Sequence, residues 1–242
     1  MLRAAFAGHG GRAAGWHNRR HGAPVTAFVD LSHVIANGMI TYPGLPAPTI
    51  TDHVSRVDSR AVYAPGYEFQ IGRIDMVANT GTYLDTPFHR YADGHDLSGL
   101  DLSRVAGVPG VVIDATAAQE VGIELLDGQD VTGRAVLLRT GWDRHWGTDR
   151  YGDPTHPYLG SGAAAQLAAA GAAIVGIDSV NIDDTRTGER PVHSVLLGAA
   201  IPIVEHLRGL EQLDRRPFSF FAVPPAVAGM GTFPVRAFAM IE

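Results

Sequence analysis

The sixteen residues 79–94, NTGTYLDTPFHRYADG, concentrate side chains of the kinds that perform chemistry. A carboxylate, Asp85, precedes an imidazole, His89, by four positions, and the phenol of Tyr83 lies just before them. Carboxylate and imidazole groups bind divalent cations, and imidazole also transfers protons near neutral pH. The stretch therefore predicts a metal site, an acid/base site that works without metal, or an ordinary polar loop.

Two more distant side chains, His193 and Glu205, could join Asp85 and His89 in one site. Taken singly, each of the four has an ordinary structural interpretation. Asp85 fits a turn before Pro87, and the histidines fit loop or surface positions. Glu205 fits the solvated end of a strand. Taken together, they form a set of oxygen and nitrogen ligands.

The absence of cysteine narrows the chemistry that is available to the chain. Thiolate metal sites, disulfides and a cysteine nucleophile are excluded. Any metal must be held by histidine, aspartate, glutamate or water, which favours zinc or manganese. A chain without disulfides also fits a reducing compartment, and we expect the cytoplasm.

Composition also limits the partners of the chain. The 242 residues carry 19 Lys and Arg against 25 Asp and Glu, which gives a net charge of −6 without a basic cluster. This balance argues against nucleic acid, whose phosphates must be neutralised by the protein. No stretch approaches the roughly 20 apolar residues of a membrane helix. We therefore expect neither a nucleic-acid partner nor a membrane partner.

The chain is predicted to form one domain after an N-terminal extension. Residues 1–26 are rich in Ala, Gly, Arg and His and contain no acidic residue, so we expect a flexible extension. No clean linker follows, which makes 27–242 one domain. Predicted strands cover residues 28–33, 69–85, 110–115, 135–140, 173–178, 201–205, 219–223 and 235–241. Ser161–Ala170 is a predicted helix, with Ser161 as its cap and Gly171 as its end.

The alternation of helix and strand predicts an α/β fold. A short helical turn is expected at 101–105, and a second small helix or turn at 191–199. Within the predicted strand 69–85, alternate residues share a face, so Asn79, Tyr83 and Asp85 should line one side together. Phe88 and Trp142 could contribute to an aromatic wall beside them.

Several short segments occur in an order and spacing that resemble a known family. They are DLSH at residues 30–33, YPG at 42–44, NTGTYLDTPFH at 79–89, VGID at 175–178 and PVRAFA at 234–239. His193 precedes paired leucines, and Glu205 follows an apolar strand. The chain thus resembles the cyclase family of metal-dependent hydrolases, which includes bacterial kynurenine formamidases and isatin hydrolases. That family's signature is H-x-G-T-H-x-D-x-P-x-H, and here Asn79 and Tyr83 replace its first two histidines.

The resemblance implies a fold and a set of site residues. The expected fold is a single α/β domain with a mixed, barrel-like β core and flanking helices, of the swivelling β/β/α type. The family uses two metals: one held mainly by the signature's first two histidines, the other by its aspartate, a later histidine and a glutamate. Carried over, the second set is Asp85, His193 and Glu205. The resemblance also implies an acid/base role for His89, an aromatic contact between Tyr42 and substrate, and a dimer or larger homo-oligomer.

Our interpretation is a hydrolase that holds one divalent cation, zinc or manganese. Water on that cation would attack an amide, lactam or lactone of a small molecule, and His89 would move the proton. Tyr83 or Asn79 would stabilise the oxyanion, because a phenol and a carboxamide can both donate hydrogen bonds. Tyr42, Phe88 and Trp142 are the expected substrate contacts.

Two alternatives stay open. Both metals could be absent, in which case His89 and Tyr83, with Asp85, would catalyse a cyclisation, dehydration or isomerisation by acid/base chemistry. The site could also be inactive, and the chain would then be a ligand-binding or assembly protein. An open cavity around Asp85 would count against that last alternative.

Overall fold

A mixed sheet of nine strands is the framework of the protein. The computed structural model describes residues 27–213 and 216–241, so the predicted extension over 1–26 lies outside the described residues. The strands of the sheet are β1 (Ala27–Asp30), β4 (Tyr83–Asp85), β5 (Ala106–Asp114), β7 (Ala135–Arg139), β9 (Ile174–Ile177), β10 (Ile203–Glu205), β11 (Phe218–Phe221), β12 (Thr232–Pro234) and β13 (Phe238–Ile241). Two small strand pairs are β2 (Thr49–Val54) with β3 (Ile71–Asp75) and β6 (Glu120–Val121) with β8 (Tyr158–Leu159). The helices are α1 (Arg56–Ser59), α2 (Ser161–Ala170) and α3 (Pro191–Gly198).

The strand order is β1-β13-β11-β5-β7-β9-β10-β4-β12. The central strands β5, β7, β9 and β10 are parallel, and antiparallel strands flank them on both sides. A strand that is covered on both faces has a continuous apolar sequence, and IVGI of β9 is an example. The expected mixed α/β domain is confirmed, and most predicted strands occur within a few residues of their expected positions.

One edge of the sheet brings residues from three distant segments side by side. In the antiparallel register Tyr83 lies opposite Glu205, and Asp85 lies opposite Thr232. Directly opposed residues share a face with their Cβ atoms about 5 Å apart. Because side chains alternate along a strand, Tyr83 and Asp85 share that face, while Leu84 enters the core on the other side.

Helices α2 and α3 cover the face that carries these polar residues. Ala163, Ala164 and Leu167 of α2 pack with Leu196 and Leu197 of α3 and with β7, β9 and β10. The packing fixes α3 against β10 and so fixes His193, which is 5% exposed. Among the described residues, no helix combines the length and the apolar character needed to cross a membrane.

Two details of the predicted elements are wrong. The run 69–85 is not one strand, because β3 ends at Asp75 and β4 begins at Tyr83. Between them Gly81 adopts φ +66, and its N–H donates to the Thr41 hydroxyl instead of to a strand. The helix α2 has the predicted bounds, but Gly160 is its N-cap and Ser161 is its first helical residue. The predicted end at Gly171, with φ +73, is confirmed.

Candidate active site

His193 is held by a buried carboxylate that sequence analysis did not single out. Asp183 accepts hydrogen bonds from the backbone N–H groups of Val192 (2.7 Å) and His193 (3.0 Å) at the start of α3. Its Oδ2 also lies 2.6 Å from Nδ1 of His193. The imidazole therefore donates its Nδ1 proton to Asp183 and turns Nε2 towards Asp85 and Glu205. A carboxylate behind the imidazole is the usual second partner of a metal-binding histidine.

Two carboxylates face Nε2 of His193. Oδ2 of Asp85 and Oε1 of Glu205 each lie 3.7 Å from it. Burial opposes protonation of His193, but the bond to Asp183 and the carboxylates of Asp85 and Glu205 raise its pKa to about 10. Burial also works against ionisation of Asp85, yet the neighbouring His193 and His89 lower the pKa of this carboxyl. The cluster thus concentrates negative charge around one imidazole nitrogen.

Glu205 is fixed by neighbours on both oxygens. The N–H of Ile182 donates to Oε1 at 2.7 Å, and the phenol of Tyr83 donates to Oε2 at 2.5 Å. Burial raises the pKa of Glu205 to about 7. Burial and the carboxylates of Glu205 and Asp85 raise the pKa of Tyr83 well above its ordinary value. Tyr83 is therefore a neutral donor.

His89 reaches the cluster through Thr232. The Thr232 hydroxyl lies in hydrogen-bond contact with Oδ1 of Asp85 and 2.8 Å from Nδ1 of His89. A hydroxyl carries one proton, and the carboxylate only accepts, so Thr232 donates to Asp85 and accepts from Nδ1–H of His89. In the neutral imidazole, this arrangement leaves Nε2 as the nitrogen that carries no proton. A Cβ on Gly231 would lie 2.2 Å from the His89 backbone N, so a glycine there permits this close approach.

The residues present fit one divalent cation. Oδ2 of Asp85 is fully buried and has no hydrogen-bond partner among the described residues, which is costly unless a cation or proton faces it. Ligand atoms lie about 2.0–2.2 Å from a zinc ion, so a 3.7 Å separation lets two of them share one. Among the described residues, Asp85, His89 and His193 also offer atoms within 4.8 Å of one another. The structure thus places both predicted carboxylates near His193, whereas the three groups close enough to share one cation, in the part of the chain that is described, are Asp85, His89 and His193, without Glu205.

The residues do not fit a second cation. Asn79 and Tyr83 stand where the resemblance expects imidazoles, and the Tyr83 phenol is committed to Glu205. A neutral phenol with a raised pKa and a carboxamide are poor ligands for zinc. Asn79 and Tyr83 instead line the same cavity.

A cavity of about 450 Å³ opens onto the cluster. Its wall includes Tyr42, Pro43, Gly44, Leu45, Asn79, Tyr83, His89, Arg90, Asn181, Arg190, His193 and Glu205. Tyr42 thus lies where a substrate contact was expected. Phe88 and Trp142 are not part of this wall; Trp142 is 6% exposed and donates its indole N–H to the carbonyl of Tyr151.

Asp183 and Thr232 are the site residues that sequence reasoning missed. Asp183 and Asp184 are adjacent acids in a loop. Asp183 is buried, whereas Asp184 pairs with Arg186 at the surface. Thr232 lies in a short edge strand about 145 residues from its contacts. The one sequence signal for a role of Asp183 was the pair of adjacent acids shortly before the helix that begins Pro191-Val192-His193.

Replacing Asp183 by asparagine tests whether its hydrogen bond to His193 orients the imidazole. The introduced amide can present N–H to Nδ1, which favours the tautomer with its proton on Nε2 and blocks that nitrogen. We expect Asp183→Asn to weaken cation affinity about 10- to 100-fold, as measured by competition with a chelating dye. Asp184→Asn is the matched control and should change affinity little. Equal affinity in both variants would contradict the assigned role.

Comparisons with known proteins place this chain in a family. The family model described as "Putative cyclase" matches residues 29–184. Kynurenine formamidase of Bacillus cytotoxicus is 27% identical over 211 residues, which cover 87% of this chain and 95% of that protein. The Geobacillus thermodenitrificans kynurenine formamidase is 28% identical over 212 residues, with the same coverage.

A solved structure shows the same fold. Isatin hydrolase A from Labrenzia aggregata, bound to benzyl benzoate, superposes with a TM-score of 0.75 at 22% identity and covers 89% of this chain and 94% of its own. The family model spans more than half of the 242 residues. The protein therefore belongs to the cyclase family.

Proposed function

We propose that the protein is a hydrolase that uses one divalent cation to cleave an amide, lactam or lactone of a small molecule. The observation that carries the proposal is the buried, unpartnered Oδ2 of Asp85 facing Nε2 of His193, whose other nitrogen is fixed by Asp183. The names of the relatives support amide chemistry, since one is a formamidase and isatin is a cyclic amide. Asp85, His193 and Glu205 would hold the cation.

The cation, when bound, supplies acidification of water and polarisation of a carbonyl oxygen. His89 supplies proton transfer. Thr232 holds its Nδ1–H, so Nε2 is the nitrogen that accepts a proton from water and returns it to the leaving nitrogen or oxygen. Asp85 accepts from Thr232, and its Oδ1 lies 3.7 Å from Nδ1 of His89, so a carboxylate stands beside the imidazole during that transfer.

Asn79 is the better-placed donor for the oxyanion. Its carboxamide lies in the cavity wall, and such donors stabilise charge that develops on a carbonyl oxygen. Tyr83 would have to leave Glu205 before it could do the same. Tyr42 and Leu45 supply an apolar wall for the body of the substrate.

Metal analysis and turnover test the proposal together. Protein purified without chelator should contain about one divalent ion per chain and should hydrolyse aromatic formamides or lactams. EDTA should abolish that activity, and manganese or zinc should restore it. Activity that survives EDTA would instead support the metal-free cyclase, dehydratase or isomerase alternative. An open cavity beside the cluster argues against a purely binding or assembly role.

The remaining expectations stay predictions. An assembly of two or four chains is supported by exposed apolar side chains on and near the β2–β3 pair, which are Ile50, Tyr63, Tyr67, Phe69, Ile71 and Ile74. Apolar patches of this kind mark interaction surfaces. A cytoplasmic location is supported by the absence of cysteine.

A further inference from the structure

Two arginines line the active-site cavity and have no carboxylate partner among residues 27–213 and 216–241. Arg90 and Arg190 both belong to the wall that also contains His89, His193 and Glu205. The arginines that form ion pairs within the described part of the chain are Arg60, Arg134, Arg139, Arg186 and Arg236, and neither cavity arginine is among them. Two guanidinium groups at one cavity make a cationic subsite beside the cluster of carboxylates.

One serine contacts both arginines, through the backbone carbonyl of Arg190 and the guanidinium of Arg90. The Ser194 hydroxyl donates to the carbonyl of Arg190 at 2.8 Å and accepts from Nε of Arg90 at 3.2 Å. Arg90 also lies over the ring of Tyr91, with 5.2 Å from its Cζ to the ring centroid. These contacts use Nε of Arg90, and within the described part of the chain no hydrogen bond uses its two terminal nitrogens.

Arg190 is anchored through one terminal nitrogen. Its Nη1 donates to the carbonyls of Thr187 (2.8 Å) and Glu189 (2.6 Å) and approaches that of Asp184. Burial raises the pKa of Tyr42, and the positive charge of Arg190 opposes that rise. Arg190 and Tyr42 belong to the same cavity wall, which also includes His193 and Glu205.

We propose that the substrate carries a carboxylate, which Arg190 and Arg90 bind while the scissile carbonyl lies at Asp85, His89 and His193. This inference deepens the proposed function and rests on it for the position of the scissile bond. Arginine forks match the two oxygens of a carboxylate, and such charge-assisted bonds are about twice as strong as neutral ones. Anchored side chains also lose less freedom on binding. The substrate class is a small amide, lactam or lactone acid with an apolar body against Tyr42 and Leu45.

A binding experiment tests the carboxylate subsite without turnover. The probes are ortho-, meta- and para-acetylbenzoate, each compared with the matched acetylbenzamide, titrated by calorimetry into the full-length protein as purified. At least one benzoate should bind about 10- to 100-fold more tightly than its neutral amide. Arg190→Gln and Arg90→Gln should each remove most of that preference while leaving the affinity of the neutral amide unchanged.

Matched variants separate charge recognition from structural effects. Arg104 has no carboxylate within 4 Å among the described residues and lies outside the cavity wall, so Arg104→Gln should keep the full preference. Arg190→Lys should restore part of it, because the charge remains and the fork is lost. If Arg190→Gln weakened the binding of charged and neutral probes equally, the arginine would only stabilise the structure of its loop. That result would overturn the proposal.

Kinetics distinguish failure of this inference from failure of the proposed function. Hydrolysis of 3-formamidobenzoate and 3-formamidobenzamide is followed by formate release. Suppose that both formamides are hydrolysed equally well and that the acetylbenzoates bind no more tightly than the acetylbenzamides. This result overturns the carboxylate subsite but agrees with the proposed hydrolase function. Tighter binding of an acetylbenzoate without turnover of either formamide supports the subsite and counts against formamide hydrolysis.

Discussion

The His193→Ala variant is expected to lose its bound cation and nearly all hydrolytic activity. His193 is the central residue of the proposed ligand set, since both Asp85 and Glu205 lie 3.7 Å from its Nε2 and Asp183 fixes its orientation. Without the imidazole, the two carboxylates face each other's charge in a buried site and have no nitrogen ligand to complete the set. Activity should fall by roughly a thousandfold or more, which corresponds to about 4 kcal/mol of lost transition-state stabilisation.

Metal content by mass spectrometry and kcat/KM on one formamide measure this effect. His53→Ala, at an exposed histidine of β2, is the matched control and should keep both the cation and the activity. Circular dichroism separates loss of the site from loss of the fold. A His193→Ala variant that folds and still holds one cation per chain would refute the assigned ligand set.

The His89→Ala variant is expected to keep its cation and lose between about a hundredfold and ten-thousandfold in kcat, the range of acid/base catalysis. His89 has a side chain 36% exposed at the cavity, and its Nδ1 is 3.7 Å from Asp85 Oδ1, on the oxygen that Thr232 already contacts. In the proposed mechanism it transfers protons while Asp85, His193 and Glu205 would hold the cation. His95→Ala, six residues further along, is the matched control.

The two histidine variants together separate the competing mechanisms. In a one-cation hydrolase, His193→Ala loses metal and His89→Ala retains it, although both lose activity. In the metal-free alternative, His89→Ala loses activity while EDTA has no effect on the wild type. If His89→Ala itself lost the cation, His89 would be a ligand, as its 4.8 Å grouping with Asp85 and His193 allows.

Local pattern was enough for the buried strands and for helix α2. The apolar runs of β7 and β9 fit strands covered on both faces, and Gly171 in a left-handed conformation ends α2 as the sequence indicated. The predicted strand 69–85 failed because alternation in that segment gave no sign of the turn at Gly81, whose N–H is satisfied by Thr41, forty residues away.

The types and order of the candidate ligands were determined by the sequence alone. Asp85, His193 and Glu205 occur in recognisable segments, and the replacement of two histidines by Asn79 and Tyr83 is visible without coordinates. Side-chain chemistry is a property of each residue, so the sequence could indicate oxygen and nitrogen ligands and exclude thiolates.

Only the tertiary structure decided which groups contact the ligands and the cavity. Asp183 behind His193, Thr232 between Asp85 and His89, and Tyr83 on Glu205 all follow from strand register and from the docking of α3 on the sheet. These contacts join residues from 10 to about 145 positions apart. Hydrogen bonds depend on distance and angle in space, and packing of the sheet and helices fixes those quantities.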